Sequence, residues 1–150
     1  MRVLIQRVSE ATVKVDHKVV GQIGHGLLLF VGIEAQDNAT DIDWLTTKIA
    51  QMRIFADKQG VMNLSLQDIN GQALVISQFT LHAQTKRGNR PSYIKAAKPD
   101  IAIPLYQQFM DSLQQKIAQP IQQGVFGADM KVALINDGPV TLWLDSQQKE

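Results

Sequence analysis

The chain contains no cysteine, which removes disulfides, thiolate metal sites and a cysteine nucleophile at once and fits a reducing cytosol. Long apolar runs are missing too. The most apolar stretch, Gly26-Leu27-Leu28-Leu29-Phe30-Val31-Gly32-Ile33, is far too short to span a bilayer. The opening Met1-Arg2-Val3-Leu4-Ile5-Gln6-Arg7 turns polar early, so no secretory leader is expected. Neither sign of charge dominates: 15 basic against 14 acidic residues leave +1, and any nucleic-acid contact must come from a local patch. Familiar catalytic signatures are absent as well. There is no His-x-x-x-His pair, Gly-x-Ser-x-Gly elbow, Walker loop or dinucleotide fingerprint. His17, His25 and His82 are scattered, the first two in expected turns. Neither a metal centre nor a serine–histidine–acid triad is expected. The chain reads as a soluble, cytoplasmic protein without membrane attachment.

What is present suffices for one domain spanning 1–150, since a chain of 150 residues buries about two-thirds of its unfolded surface. The first third reads as strands: Arg2 to Val8, Ala11 to Val15 after a short break, and Lys18 to Ile23 beyond the turn Asp16-His17. The run Leu27 to Ile33 suits a strand buried on both faces. Apolar spacing predicts helices over Asn38–Met52 and from about Asp100 to Gln119, with Pro104 tolerable only because it sits in the first turn. Val61–Leu66, Ala73–Leu81, Met130–Ile135 and Val140–Leu144 read as further strands, and 145–150 as a frayed tail. The order predicts an α+β domain: a curled or barrel-like antiparallel sheet with two main helices.

Three segments invite a functional reading. Ser77-Gln78-Phe79-Thr80-Leu81 closes an apolar strand, and both of its faces turn polar there. That is equally compatible with a strand leaving the core and with a site. Asn136-Asp137-Gly138-Pro139-Val140-Thr141 is made of turn residues, so a tight connection between two strands explains it. A Gly-Pro bond can also be cis at modest cost, and the isomer cannot be read from sequence. Finally, no acidic residue occurs from Ile69 to Pro99, a stretch that carries Lys86, Arg87, Arg90, Lys95 and Lys98 around Gly88 and Pro91. A basic loop beside a candidate site strand could hold phosphates, with Tyr93 as a stacking surface.

At these residues the chain resembles the D-aminoacyl-tRNA deacylase family. Ser77-Gln78-Phe79-Thr80-Leu81 and Asn136-Asp137-Gly138-Pro139-Val140-Thr141 look like that family's paired signatures, and the resemblance extends to Ile5-Gln6-Arg7-Val8, Arg53-Ile54-Phe55, Met62-Asn63-Leu64, Arg90-Pro91-Ser92 and Phe126 to Met130. It implies a cytoplasmic ester hydrolase for chirality proofreading in translation, which removes D-amino acids, and glycine, from transfer RNA. It further implies a homodimer whose active sites lie at the subunit interface, with no metal or organic cofactor. Carried over by resemblance, Ser77, Gln78, Phe79 and Thr80 form the catalytic wall, largely through backbone. Gly138-Pro139 is the cis, chirality-selecting unit reaching into the partner's site. Arg7 holds the Gly-Pro carbonyls, with Asn136, Val140 and Thr141 in support. Phe126 and Met130 match the segment near the adenosine pocket, and Lys86, Arg87 and Arg90 are candidates for the tRNA backbone.

The chemistry is compatible with so few catalytic side chains. An aminoacyl ester is labile, and one aimed backbone N–H on the developing oxyanion contributes about 3 kcal/mol. Thr80 has no visible base to activate it, so it reads as a positioning residue. A wall of backbone would exclude an L side chain while leaving a D side chain unread. Two rivals stand beside this reading: a relative with trans Gly-Pro that clears small L-aminoacyl-tRNAs, and a non-enzymatic RNA-binding module. Phe79 and the ending Val140-Thr141 favour the D-specific branch.

Overall fold

In the computed structural model, which describes residues 1–150, the two expected N-terminal strands are one, β1 (Arg2–Val15). Val3 and Ile5 belong to one core cluster, whereas Val8, Ala11 and Val13 belong to another. A regular strand keeps alternate residues on one face, so Val8 lies opposite Val3 and Ile5, and an irregular register between Val8 and Glu10 brings the odd positions Ala11 and Val13 to the side of Val8. All three neighbours of β1 are antiparallel to it: β2 (Lys18–Ile23) on its C-terminal half, β3 (Gly26–Gly32) on its N-terminal half, and β8 (Lys131–Asp145) along its other edge.

Beyond β3 the sheet is parallel, an addition to the antiparallel expectation. β6 (Gln72–Ser77) runs parallel to β3, and β7 (Gln122–Gln123) parallel to β6. Parallel neighbours need long crossovers. The first contains α1 (Ala39–Gln51) and a small hairpin of β4 (Phe55–Ala56) and β5 (Met62–Leu64); the second contains α2 (Pro99–Gln114). β2 curls back over β7, and a methyl placed on Gly21 would lie 2.8 Å from the Gln123 carbonyl oxygen. That approach nearly closes the sheet.

β3 is buried on both faces, as its unbroken apolar run predicts. Leu27 and Leu29 join Ile42, Leu45 and Ile49 of α1 and Phe109 and Leu113 of α2, while Leu28 joins Val13, Leu74 and Ile76 inside the curl. α1 begins on a capping box: the Asn38 side chain accepts from Thr40 N, and the Asp41 carboxylate accepts from Asn38 N. α2 ends earlier than expected. The Gln114 amide takes up the carbonyls of Ile117 and Gln119, an alternative to the next helical turn, and Pro120 follows. Pro104 is the sixth helical residue rather than a first-turn one. It is exposed, so water can serve the carbonyl it leaves unpaired.

The segment expected to fray at 145–150 begins docked. Asp145 and Ser146 are buried, Asp145 bonds Arg2, and the Ser146 hydroxyl accepts from the Met1 amine. The Met1 amine also donates to Asp37 at 2.5 Å. No helix is long and apolar enough to cross a membrane.

Candidate active site

Pairing of β6 with β3 stops at Val31 and Ser77, and Gln78 N then bonds the Val31 carbonyl at 2.8 Å. The strand expected to reach Leu81 ends there. Phe79–His82 instead forms a single 3₁₀ turn, because β3 itself ends at Gly32 and offers nothing more to pair with. Of the turn's bonds, that from Leu81 N to the Gln78 carbonyl is long at 3.3 Å, and that from Ala83 N to the Thr80 carbonyl is ordinary at 3.1 Å. Heading the turn, the amides of Phe79 and Thr80 have no partner within it.

This segment forms one wall of a cavity of about 260 Å³. Ser77, Gln78 and Phe79 line it together with Val31, Ile33 and Ile76 of the sheet region. Ala97, Ala102, Phe126 to Met130 and Val132 complete the lining. The structure thus brings five expected residues together: Ser77, Gln78, Phe79, Phe126 and Met130. Tyr106 supports Phe126 with its ring centroid 5.8 Å away and donates its hydroxyl to the Val75 carbonyl at 3.0 Å. Burial pushes the Tyr106 phenol far above its ordinary range, so it remains a donor.

Thr80 does not line the cavity. Its hydroxyl accepts from the Gln78 amide at 2.5 Å, and no base is hydrogen-bonded to it. His82, two residues on, is fully buried, and both ring nitrogens lack a hydrogen bond. Glu34 Oε1 lies 3.2 Å from His82 Nδ1 but out of line for a bond. No group of three histidine, aspartate or glutamate side chains converges anywhere in the chain.

The second motif is not a turn joining two strands. β8 pairs with β1 on both sides of it, Val8 with Asn136 and Gln6 with Thr141, so 137–140 loops out of one continuous strand opposite Arg7. Asn136 closes the loop: its Oδ1 accepts from Val140 N at 2.8 Å, and its amide donates to the Val140 carbonyl and the Thr141 hydroxyl. Arg7 Nε donates to the Asp137 carbonyl at 2.8 Å, and Nη1 to the Ile54 carbonyl at 2.5 Å. It therefore holds the residue before the pair rather than the carbonyls of Gly138 and Pro139. The Gly138-Pro139 bond is cis, Gly138 has a φ of +145°, and both residues are exposed. Neither lines the cavity of its own chain.

Lys86 and Arg87 line an open hollow with Gln84, Thr85 and Ser92, based on the paired backbones of Gln84 and Ser92; Arg90 is exposed outside it. Tyr93 at the loop's end meets Phe79 edge-on with ring centroids 5.0 Å apart, which ties loop to cavity.

Several participants escaped sequence reading. Val31, Ile33, Ala97 and Ala102 look like ordinary core residues there. Arg2 looks there like no more than the start of a strand. It donates Nε to Asp145 and Nη1 to the Leu81 carbonyl, both at 2.9 Å. Burial alone would raise the Asp145 carboxyl; the Arg2 bond, the Gln147 amide and the nearby positive charges hold it below the usual carboxylate range.

Comparison with known proteins follows the same residues. Residues 4–145 match the family described as D-Tyr-tRNA(Tyr) deacylase. A Flavobacterium psychrophilum protein named D-aminoacyl-tRNA deacylase is 61% identical over 150 residues, covering 100% of both chains. The Chromobacterium violaceum protein of that name is 57% identical, again over 100% of both. Among solved structures, one described as the c-Myc DNA Unwinding Element Binding Protein superposes with a TM-score of 0.92 at 33% identity, covering 97% of this chain and 98% of that one.

Proposed function

Because the chain belongs to the D-Tyr-tRNA(Tyr) deacylase family, we propose that it hydrolyses the ester of D-aminoacyl-tRNA in the cytoplasm, at a site whose working groups are main-chain atoms. One observation carries the catalytic part. The cavity is walled by a segment leading into a 3₁₀ turn that presents unpaired amides, and no side-chain nucleophile with a base stands beside it.

Water adds to the ester carbonyl, and the carbonyl oxygen takes negative charge opposite the amides of Phe79 and Thr80. The bond to the terminal ribose 3′-oxygen then breaks. That oxygen receives the proton lost by water, with the neighbouring 2′-hydroxyl placed to relay it. Free amino acid and tRNA leave. One well-aimed N–H is worth about 3 kcal/mol toward such an oxyanion, which matters for an ester already prone to hydrolysis. Phe126 and Met130 suit the apolar faces of the terminal adenosine, and the hollow at Lys86 and Arg87, with Arg90 nearby, suits backbone phosphates.

The active unit in this reading is a homodimer. Gly138 and Pro139 are exposed, held rigidly from behind, and do not reach their own chain's cavity. They project from β8, which pairs only with β1 and exposes Ile135 and Trp143. A second copy would cover that edge and receive the loop at its own cavity. There the loop occupies the space an L side chain needs, while D-aminoacyl and glycyl esters enter. No metal or organic cofactor has a part in these steps. Turnover of D-Tyr-tRNA and L-Tyr-tRNA tests the reading: hydrolysis of the D-ester with rejection of the L-ester is expected. Equal turnover of both, or binding without hydrolysis, would overturn it.

A further inference from the structure

The active-site segment is a single 3₁₀ turn, and one side chain outside it reaches its backbone. The carbonyls that end a helical turn have no taker within it. The N–H that could have served Leu81 from the next turn, that of Gln84, bonds the Ser92 carbonyl at 2.8 Å instead. Arg2 fills the vacancy with Nη1 at 2.9 Å from the Leu81 carbonyl oxygen. The ring of His82, the last residue of the turn, makes no hydrogen bond.

The Arg2 guanidinium is itself fixed. Arg2 faces Asp145 in the β1–β8 register, its Nε meets the buried carboxylate at 2.9 Å, and its carbon lies 5.5 Å from the centre of the Trp143 ring. A planar donor with two directed N–H groups is needed to meet a carboxylate and a carbonyl together; a lysine ammonium on a flexible stem is not preset for this. Asp145 alone would have satisfied the charge. The second bond goes to the turn.

We propose that Arg2 is a positioning residue for the hydrolysis, aiming the Phe79 and Thr80 amides by anchoring the Leu81 carbonyl to the β1–β8 edge. This rests on the reading of those amides as the oxyanion donors. Misaimed donors lose stabilisation of the transition state more than of the bound ester, so the effect falls on kcat.

The test uses the full chain as wild type, Arg2→Lys and Arg2→Gln, with D-Tyr-tRNA as substrate and amide NMR of Phe79 and Thr80 as a second readout. Folded variants should lose about tenfold or more in kcat with KM little changed. The two amide signals should move while those of α1 stay in place. A folded Arg2→Lys with wild-type kcat, or a change confined to KM, would overturn the proposal. Should neither Arg2 variant fold, Asp145→Asn releases the guanidinium's other end; an unaltered kcat there would overturn it equally. A wild-type chain inactive toward D-Tyr-tRNA would refute the functional reading instead, and the amide signals alone would then decide whether Arg2 holds the turn.

Discussion

Replacing Gly138 by alanine attacks the looped-out segment where it has least room. The added methyl would lie 2.8 Å from Val140 Cγ2, 2.9 Å from Arg7 Nη2 and 3.0 Å from Val140 N. The Val140 backbone is fixed by the Asn136 side chain, so it cannot simply step aside. Arg7 is pinned to two carbonyls, those of Asp137 and Ile54. A φ of +145° is moreover a conformation that alanine adopts only under strain. Strain of this kind costs about 1–3 kcal/mol, and each kcal/mol lowers Tm by about 2–4 °C in a chain of this size. Gly138→Ala should therefore melt several degrees lower while keeping its core, since the loop is exposed. Activity should suffer more than stability. Displacing Pro139 alters the wall proposed to sort D- from L-esters, and a misplacement of about 1 Å can cost about two decades in rate. Thermal melting, with parallel turnover of D-Tyr-tRNA and L-Tyr-tRNA, measures both effects. Unchanged Tm together with unchanged selectivity would refute the argument from crowding at this loop.

Thr80→Ala should keep most of its D-Tyr-tRNA turnover, because it removes one hydrogen bond to Gln78 worth about 0.5–1.5 kcal/mol; complete inactivity in a folded protein would restore Thr80 as nucleophile. Replacing Lys86, Arg87 and Arg90 together with alanine should lower the salt slope of tRNA binding by about 2 if each meets one phosphate of a single strand. An unaltered slope would make the loop ordinary solvated surface. Asp145 is held below its ordinary pKa, so its contribution to stability is complete above about pH 4 and lost as pH falls through the lower folded value. Asp145→Asn should accordingly melt lower at neutral pH and lose less on acidification; stability–pH curves parallel to wild type would contradict the Arg2–Asp145 pairing.

Much of this is legible in the sequence, and the failures share a cause. The Leu27–Ile33 run announces a strand buried on both faces because its composition alone demands it, and α1 is bounded by a cap that its own residues supply. Ser77 to Leu81 misleads because the end of a strand is decided by its neighbour: β3 stops at Gly32, and the chain coils once pairing runs out. Asn136 to Pro139 misleads in the same way. Turn-forming residues say that the chain bends, but only the resumed pairing with β1 says that it continues in its former direction. Arg2 carries no local signal, since the carbonyl it serves lies 79 positions away.

The two segments proposed to face one another across the dimer have a common support. Arg2 and Arg7 both stand on β1, and each bonds main-chain carbonyls of one segment: Leu81 beside the turn, Asp137 beside the Gly138-Pro139 pair. Their spacing is odd, so a regular strand sends them to opposite faces, as service to two separate segments requires. β1 in turn is clamped by β3 on one edge and β8 on the other, with Val3 and Ile5 fully buried between the helices and the sheet. Such support suits a site whose working atoms are backbone. Side chains that hold no backbone can be trimmed while the amides and carbonyls persist, but a lost anchor, Asn136 included, or an added methyl moves the backbone itself. Sensitivity should therefore concentrate at Gly138, which has no room, and at the two arginines, which do not enter the cavity of their own chain. Thr80, whose hydroxyl invites a catalytic role, should matter less than any of them.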